Sequence, residues 1–290
     1  MRRIGGYLIA LLVAGLLLQG CSAVRFGYGN AEALTRWWID QYLDLSAEQD
    51  LLVRERMAGL HAWHRKNQLP EYVAVLRQGQ GFVAGRPAVA DALALLDGVI
   101  GAVRRLADRA VPDVADLLLT VTPAEIERMA SRFAEKNAEY AKEAQLAEDE
   151  SAQRQARYKR LLERAEYWFG DFGGEQKASL RRMVEHQPAG GQFWFDERLR
   201  RQRQWLALVR QIQRDQPPRE RAIGWLRDYV ARFDLPADPA AAATARSLRR
   251  AGAELTVAIH AMATPDQRAH ARHKLGDLIH DFEELAREGR

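Results

Sequence analysis

One cysteine, seven histidines and a few clusters of tryptophan with arginine hold most of the chemistry open to this 290-residue chain. Cys21 is the only thiol, and it closes the run Leu18-Gln19-Gly20-Cys21 after an uncharged apolar stretch from Tyr7 to Leu18. Arg2 and Arg3 keep the positive end on the cytoplasmic side, the apolar stretch partitions into the bilayer, and small Gly20 admits a peptidase to the bond before the cysteine. Twelve apolar residues fall short of the roughly 20 that span a membrane. The expected chemistry is removal of residues 1–20 and acylation of Cys21, which consumes the one group able to form a disulfide.

Other side chains suggest binding rather than turnover. His61 and His64 lie three apart on one helix, a spacing that can turn two imidazoles toward one metal or pack them inside the fold. His273, Asp277, His280 and Glu284 form a second stripe at helical spacing, which reads as a solvated polar face or a metal candidate. Trp194, Arg198, Arg201 and Trp205 share one helix face, which reads either as a partner-binding site, for phosphates of lipids or an acidic polypeptide, or as arginines salt-paired to acidic neighbouring helices beside ordinarily packed tryptophans. Gly-x-Ser-x-Gly, Walker, His-Glu-x-x-His and paired-cysteine motifs do not occur, so neither an enzyme nor a cofactor is expected. Removal of Arg2 and Arg3 leaves 41 basic residues against 39 acidic ones, near balance, which disfavours nucleic acid as a partner.

These groups must be positioned by helices. The chain is 47% hydrophobic and rich in Ala, Leu and Arg, without alternating runs of Val, Ile and Thr. The expected fold is all-α, an elongated bundle of about nine to ten helices. Residues 21–30, with Gly27, Gly29 and Asn30, read as a lipidated tether, and residues 31–290 as one helical domain, divisible into 31–120 and 121–290. A helix from Ser46 should end near Asn67, a short one should cover Pro70 to Gln78, and Pro112 should bend or break the next. Between Pro123 and Trp168 there is no Gly or Pro, which predicts one helix near 122–168 about 70 Å long, with a break near Asp149 as the alternative.

Four helix starts share a pattern: Leu45-Ser46-Ala47-Glu48-Gln49, Val121-Thr122-Pro123-Ala124-Glu125, Phe172-Gly173-Gly174-Glu175-Gln176 and Ala263-Thr264-Pro265-Asp266-Gln267. A hydroxyl at the cap and an acid or amide three residues on satisfy exposed amides reciprocally; Gly173 has lost the hydroxyl. These starts resemble the Leu-Thr-x-x-Gln motifs of the Spy/CpxP class of periplasmic chaperones, which implies a cradle for polypeptide clients.

The lipobox, Trp37 and Trp38 ahead of Tyr42-Leu43-Asp44-Leu45, the segment Leu60-His61-Ala62-Trp63-His64-Arg65 and Trp168-Phe169-Gly170 before Glu175-Gln176 are together similar to a family of helical bacterial lipoproteins catalogued as a domain of unknown function. Ser22 after the cysteine resembles the pattern sorted to the outer membrane. The resemblances imply a lipoprotein anchored by Cys21, facing the periplasm, that binds polypeptides or envelope components, or docks as an adaptor on one envelope complex.

Overall fold

The computed structural model describes residues 22–288; Cys21 and the expected signal segment lie outside the described residues. The helices are α1 (Ser22–Gly29), α2 (Ala31–Leu43), α3 (Ala47–Trp63), α4 (Leu69–Ala84), α5 (Val89–Leu118), α6 (Pro123–Glu143), α7 (Glu150–Phe169), α8 (Gly174–His186), α9 (Gly191–Asp215), α10 (Arg219–Ala231), α11 (Pro239–Met262) and α12 (Pro265–Glu288). A π-helical turn, His64–Gln68, joins α3 to α4. The fold is an all-α bundle, and no strand occurs among the described residues.

All four shared starts begin helices, and their capping residues also join distant parts of the chain. Gln49 and Ser46 exchange the two bonds of a capping box, with Ser46 N–H donating at 2.9 Å and Gln49 N–H at 3.3 Å. Thr122 pairs with Glu125 and Thr264 with Gln267 in the same way. At Gly173 only the returning bond survives, from its N–H to Gln176 Oε1 at 3.0 Å. Gln49 then donates to the carbonyl of Thr120, two residues before the cap at Thr122, and Gln176 to the carbonyl of Met262, two residues before the cap at Thr264. The starts therefore dock in two pairs with the same offset.

The segment over 122–168 is two helices, the alternative with a break near Asp149 in place of one continuous helix. Gln145 adopts a left-handed conformation, φ 55°, so that Leu146 N–H reaches back to Ala141 O at 2.9 Å and Gln145 N–H to Lys142 O at 3.1 Å. This is a Schellman closure with glutamine where glycine is usual. Asp149 then caps α7 through Ala152 N–H at 2.8 Å. The reversal lets α7 pack on α8 and α12 instead of extending an alanine-rich middle into solvent. With the extra helix at α1, the split raises the number of α-helices among the described residues to twelve.

Two expected breaks are absent. Pro112 sits inside the 30-residue α5, flanked by Val111 and Ala115, both buried; the carbonyl it leaves without a partner belongs to exposed Asp108. Near Asn67 the chain passes into α4 because Leu69 N–H bonds the His64 carbonyl five residues back. This wider turn precedes Pro70, whose ring would crowd the carbonyl four residues earlier in a regular helix.

The larger core joins Leu43, Val53, Val111 and Leu118 to Ile126, Val209, Ile212 and Leu226, and so crosses the 120/121 boundary suggested by the sequence. A second core holds Tyr158, Phe172, Leu180, Leu255 and Ile259. Helix α12 lies along α4, burying Leu275 and Leu285, and brings the C-terminal helix beside α1.

Candidate functional site

A cluster of part-buried polar groups lies where α1, α3, the π turn, α4 and α12 meet. His64 is hydrogen-bonded through Nδ1 to the Tyr28 hydroxyl at 2.8 Å and through Nε2 to the Tyr72 hydroxyl at 3.2 Å. The Arg65 guanidinium lies 5.4 Å from the Tyr28 ring centroid, and Phe282 closes the far side against Tyr72. Three buried polar atoms here, His61 Nε2, Arg65 Nε and Gln68 Oε1, have no protein partner.

Burial decides the protonation of this cluster. Desolvation, then the neighbouring His61, pushes His64 down from its ordinary 6.5 to about 4. The same burial lifts the Tyr28 hydroxyl to about 12 and raises that of Tyr72, with the Glu71 charge adding to the second shift. At neutral pH the relay Tyr28–His64–Tyr72 is uncharged, and the imidazole donates through one nitrogen and accepts through the other.

The pair His61 and His64 does not converge on one metal position. His64 spends both nitrogens on tyrosines, while His61 Nδ1 lies 2.8 Å from Glu32 on α2. The packed alternative for this pair is the one the geometry supports: the histidines clamp α1 and α2 to α3. Sequence spacing found both histidines but neither Tyr28 nor Tyr72, whose approach depends on the docking of α1 and α4.

The stripe on α12 is likewise dispersed. His273 bonds Asp277 at 2.9 Å near the surface, His280 is exposed, and Glu284 pairs with Arg287 at 2.6 Å. Among the described residues, no group of three or more His, Cys, Asp or Glu is arranged to hold a metal ion. Asp281, on the adjoining face, is buried with Oδ1 unpartnered, and desolvation raises its pKa.

Trp194, Arg198, Arg201 and Trp205 are all half-buried in α9, and their side chains are largely engaged inside the fold, in line with the packed alternative. Arg198 donates to Asn137 at 2.7 Å and lies over the Tyr140 ring; Arg201 donates to the carbonyls of Glu197 and Phe233. Trp205 donates to Met129 Sδ at 3.3 Å and packs on Tyr229, while Trp194 stands edge-on to Phe193. The nearby Arg200 and Arg210 pair with Glu197 and Glu127.

The large apolar side chains left at the surface fall mainly on two helical stretches. One runs from α1 into α2 with Phe26, Leu34, Trp37 and Trp38; the other is the α5 stripe Leu96, Val99 and Val103. The glycines and Asn30 that suggested a tether over 22–30 instead belong to a helical arm pinned by Tyr28 and by an Arg25–Glu288 ion pair. No helix of the described residues is long and apolar enough to cross a membrane.

No curated protein and no solved structure matches the chain. A family model does match, over residues 41–228, a span that contains His61, His64 and Tyr72 but leaves out Tyr28 and α12. The chain belongs to that family, DUF6279, a family of unknown function.

Proposed function

We propose that the protein is a lipoprotein of the bacterial cell envelope, anchored in the outer membrane through lipid on Cys21, whose helical body binds polypeptides or another envelope component without catalysis. The observation that carries the binding half is the α5 stripe: Leu96, Val99 and Val103 recur at i, i+3 and i+7, all exposed, with Val99 about half accessible. Apolar residues at that spacing match the anchor pattern by which one helix engages another. The histidine relay supports the non-enzymatic half, because its neutral, half-buried groups are engaged with one another.

A photo-crosslinking residue at position 99 in intact cells tests this reading. Adducts with many unrelated polypeptides favour a chaperone-like cradle. One dominant adduct favours the adaptor reading, which the shortness of the stripe supports: from Leu96 to Val103 the helix rises only about 10 Å. Absence of any protein adduct from position 99, with crosslinking intact at a control position, overturns both.

A further inference from the structure

The exposed face of α1 and α2 is largely apolar and carries no charged residue. The two helices run on through Asn30, with Asn30 N–H donating to Phe26 O at 3.2 Å and Leu34 N–H to Asn30 O at 3.0 Å. Along this arm Phe26, Asn30, Ala33, Leu34, Trp37 and Trp38 are exposed, a repeat of three to four residues that marks one helix face. At 100° per residue, Phe26, Leu34, Trp37 and Trp38 fall within an arc of about 120°. Their exposures are 74%, 54%, 60% and 55%.

Each charged residue of the arm is tied to the body or to the turn that follows. Arg25 pairs with Glu288, Glu32 with His61 at 2.8 Å, and Arg36 with Asp50 at 2.7 Å, while Asp40 accepts from Leu45 N–H at 3.0 Å. Tyr28 and Leu43 point inward with them. The arm is therefore apolar on both sides: Tyr28, Ile39, Tyr42 and Leu43 pack inward among the tied charges, while Phe26, Leu34, Trp37 and Trp38 stay on the outer face. Such a face needs an occupant.

We infer that this face seats in the interfacial layer of the bilayer that holds the lipid on Cys21, so that the arm lies along the membrane and fixes the orientation of the body. The inference rests on the anchoring proposed above. The described part of α1 begins at Ser22, the residue next in sequence to Cys21, so lipid on that cysteine would hold the arm close to the headgroup level. Tryptophans with an apolar body and one N–H favour that layer, and the face carries no charge to desolvate. The latch of Tyr28, His64 and Tyr72 lies behind the arm and keeps it rigid against α3 and α4.

The test uses the lipidated protein, purified from membranes and reconstituted into vesicles of phosphatidylethanolamine and phosphatidylglycerol that contain lipids brominated near the headgroup. Bromine should quench part of the emission of the wild type, which carries seven tryptophans, and that part should disappear in Trp37→Phe/Trp38→Phe. Both positions are exposed, so the variant should keep the circular dichroism and melting curve of the wild type. Equal quenching of wild type and variant while both float with the vesicles would place the face elsewhere and overturn the inference, with the anchor intact. Self-association in detergent that is lost in the variant, without bromine quenching, would assign the face to a second copy and overturn it as well. Failure to float, with no fatty acid on Cys21, would remove the anchor and the inference together.

Discussion

Gln176 and Gln267, 91 residues apart, exchange side-chain amides: Gln176 donates to Gln267 Oε1 at 2.7 Å, and Gln267 returns a bond at 3.2 Å. Each also donates to a backbone carbonyl two residues before the partner's cap, Met262 for Gln176 and Asp171 for Gln267. Each accepts, in addition, from its own cap residue. Two residues thereby fasten two helix starts and hold α8 to the turn between α11 and α12. In the other pair, Gln49 makes the forward bond to Thr120, but the Glu125 carboxylate has no donor to return one and only accepts, from Thr122.

Gln267→Ala should destabilise the protein by about 1 to 3 kcal/mol, because the Asp171 carbonyl and the Thr264 amide lose partners together. Denaturant melts of Gln176→Ala, Gln267→Ala and the double variant should give a coupling of at least about 0.5 kcal/mol. Strict additivity would mean that the two amides act independently.

Gln145→Gly discriminates the two readings of residues 123–168 by sign. A left-handed residue other than glycine costs roughly 1 to 2 kcal/mol, so glycine at the Schellman position should stabilise the chain by up to about 1 kcal/mol. Were the segment one continuous helix, the same change would destabilise it by about 1 kcal/mol. Thermal melting at fixed pH reads the sign.

The helix caps were legible because Ser46 with Gln49, or Thr264 with Gln267, is a local signal complete within four residues. The reversal at Gln145 was not, since glutamine gives no turn signal and the break is stabilised by what α7 then packs against. The arm was misread for a related reason: Gly27 and Gly29 weaken helix locally, while its stabilising contacts reach α3 and, through Glu288, a residue 263 positions away. The candidate site was half visible. His61 and His64 stood out by type and spacing, but Tyr28, Glu32 and Tyr72 become their partners only through tertiary docking, which also decides that they clamp helices rather than gather round a metal.

The latch should make stability fall in mild acid. His64 in the folded protein takes a proton only near pH 4, whereas in the unfolded chain it does so near 6.5. Between those values the unfolded state binds more protons, so stability is full above about 6.5 and is lost as the pH falls toward 4. For a part-buried group screened by solvent the loss is on the order of 2 kcal/mol. The groups around it include Tyr28 on α1, Glu32 on α2, His61 and Arg65 beside it, Glu71 and Tyr72 on α4, and Arg25 against Asp281 on α12. The wild-type curve minus that of His64→Gln removes their shared contribution. A difference that is flat from pH 7 to 4 would contradict the assignment.

Anchoring through Cys21 underlies the address, the partners and the orientation proposed for this protein, and labelling with fatty acid tests it most directly. In cells fed labelled palmitate, the wild type should carry label and sediment with membranes. Cys21→Ser should carry none and leave the outer-membrane fraction. Equal labelling of the two proteins, or an unlabelled wild type, would contradict the account.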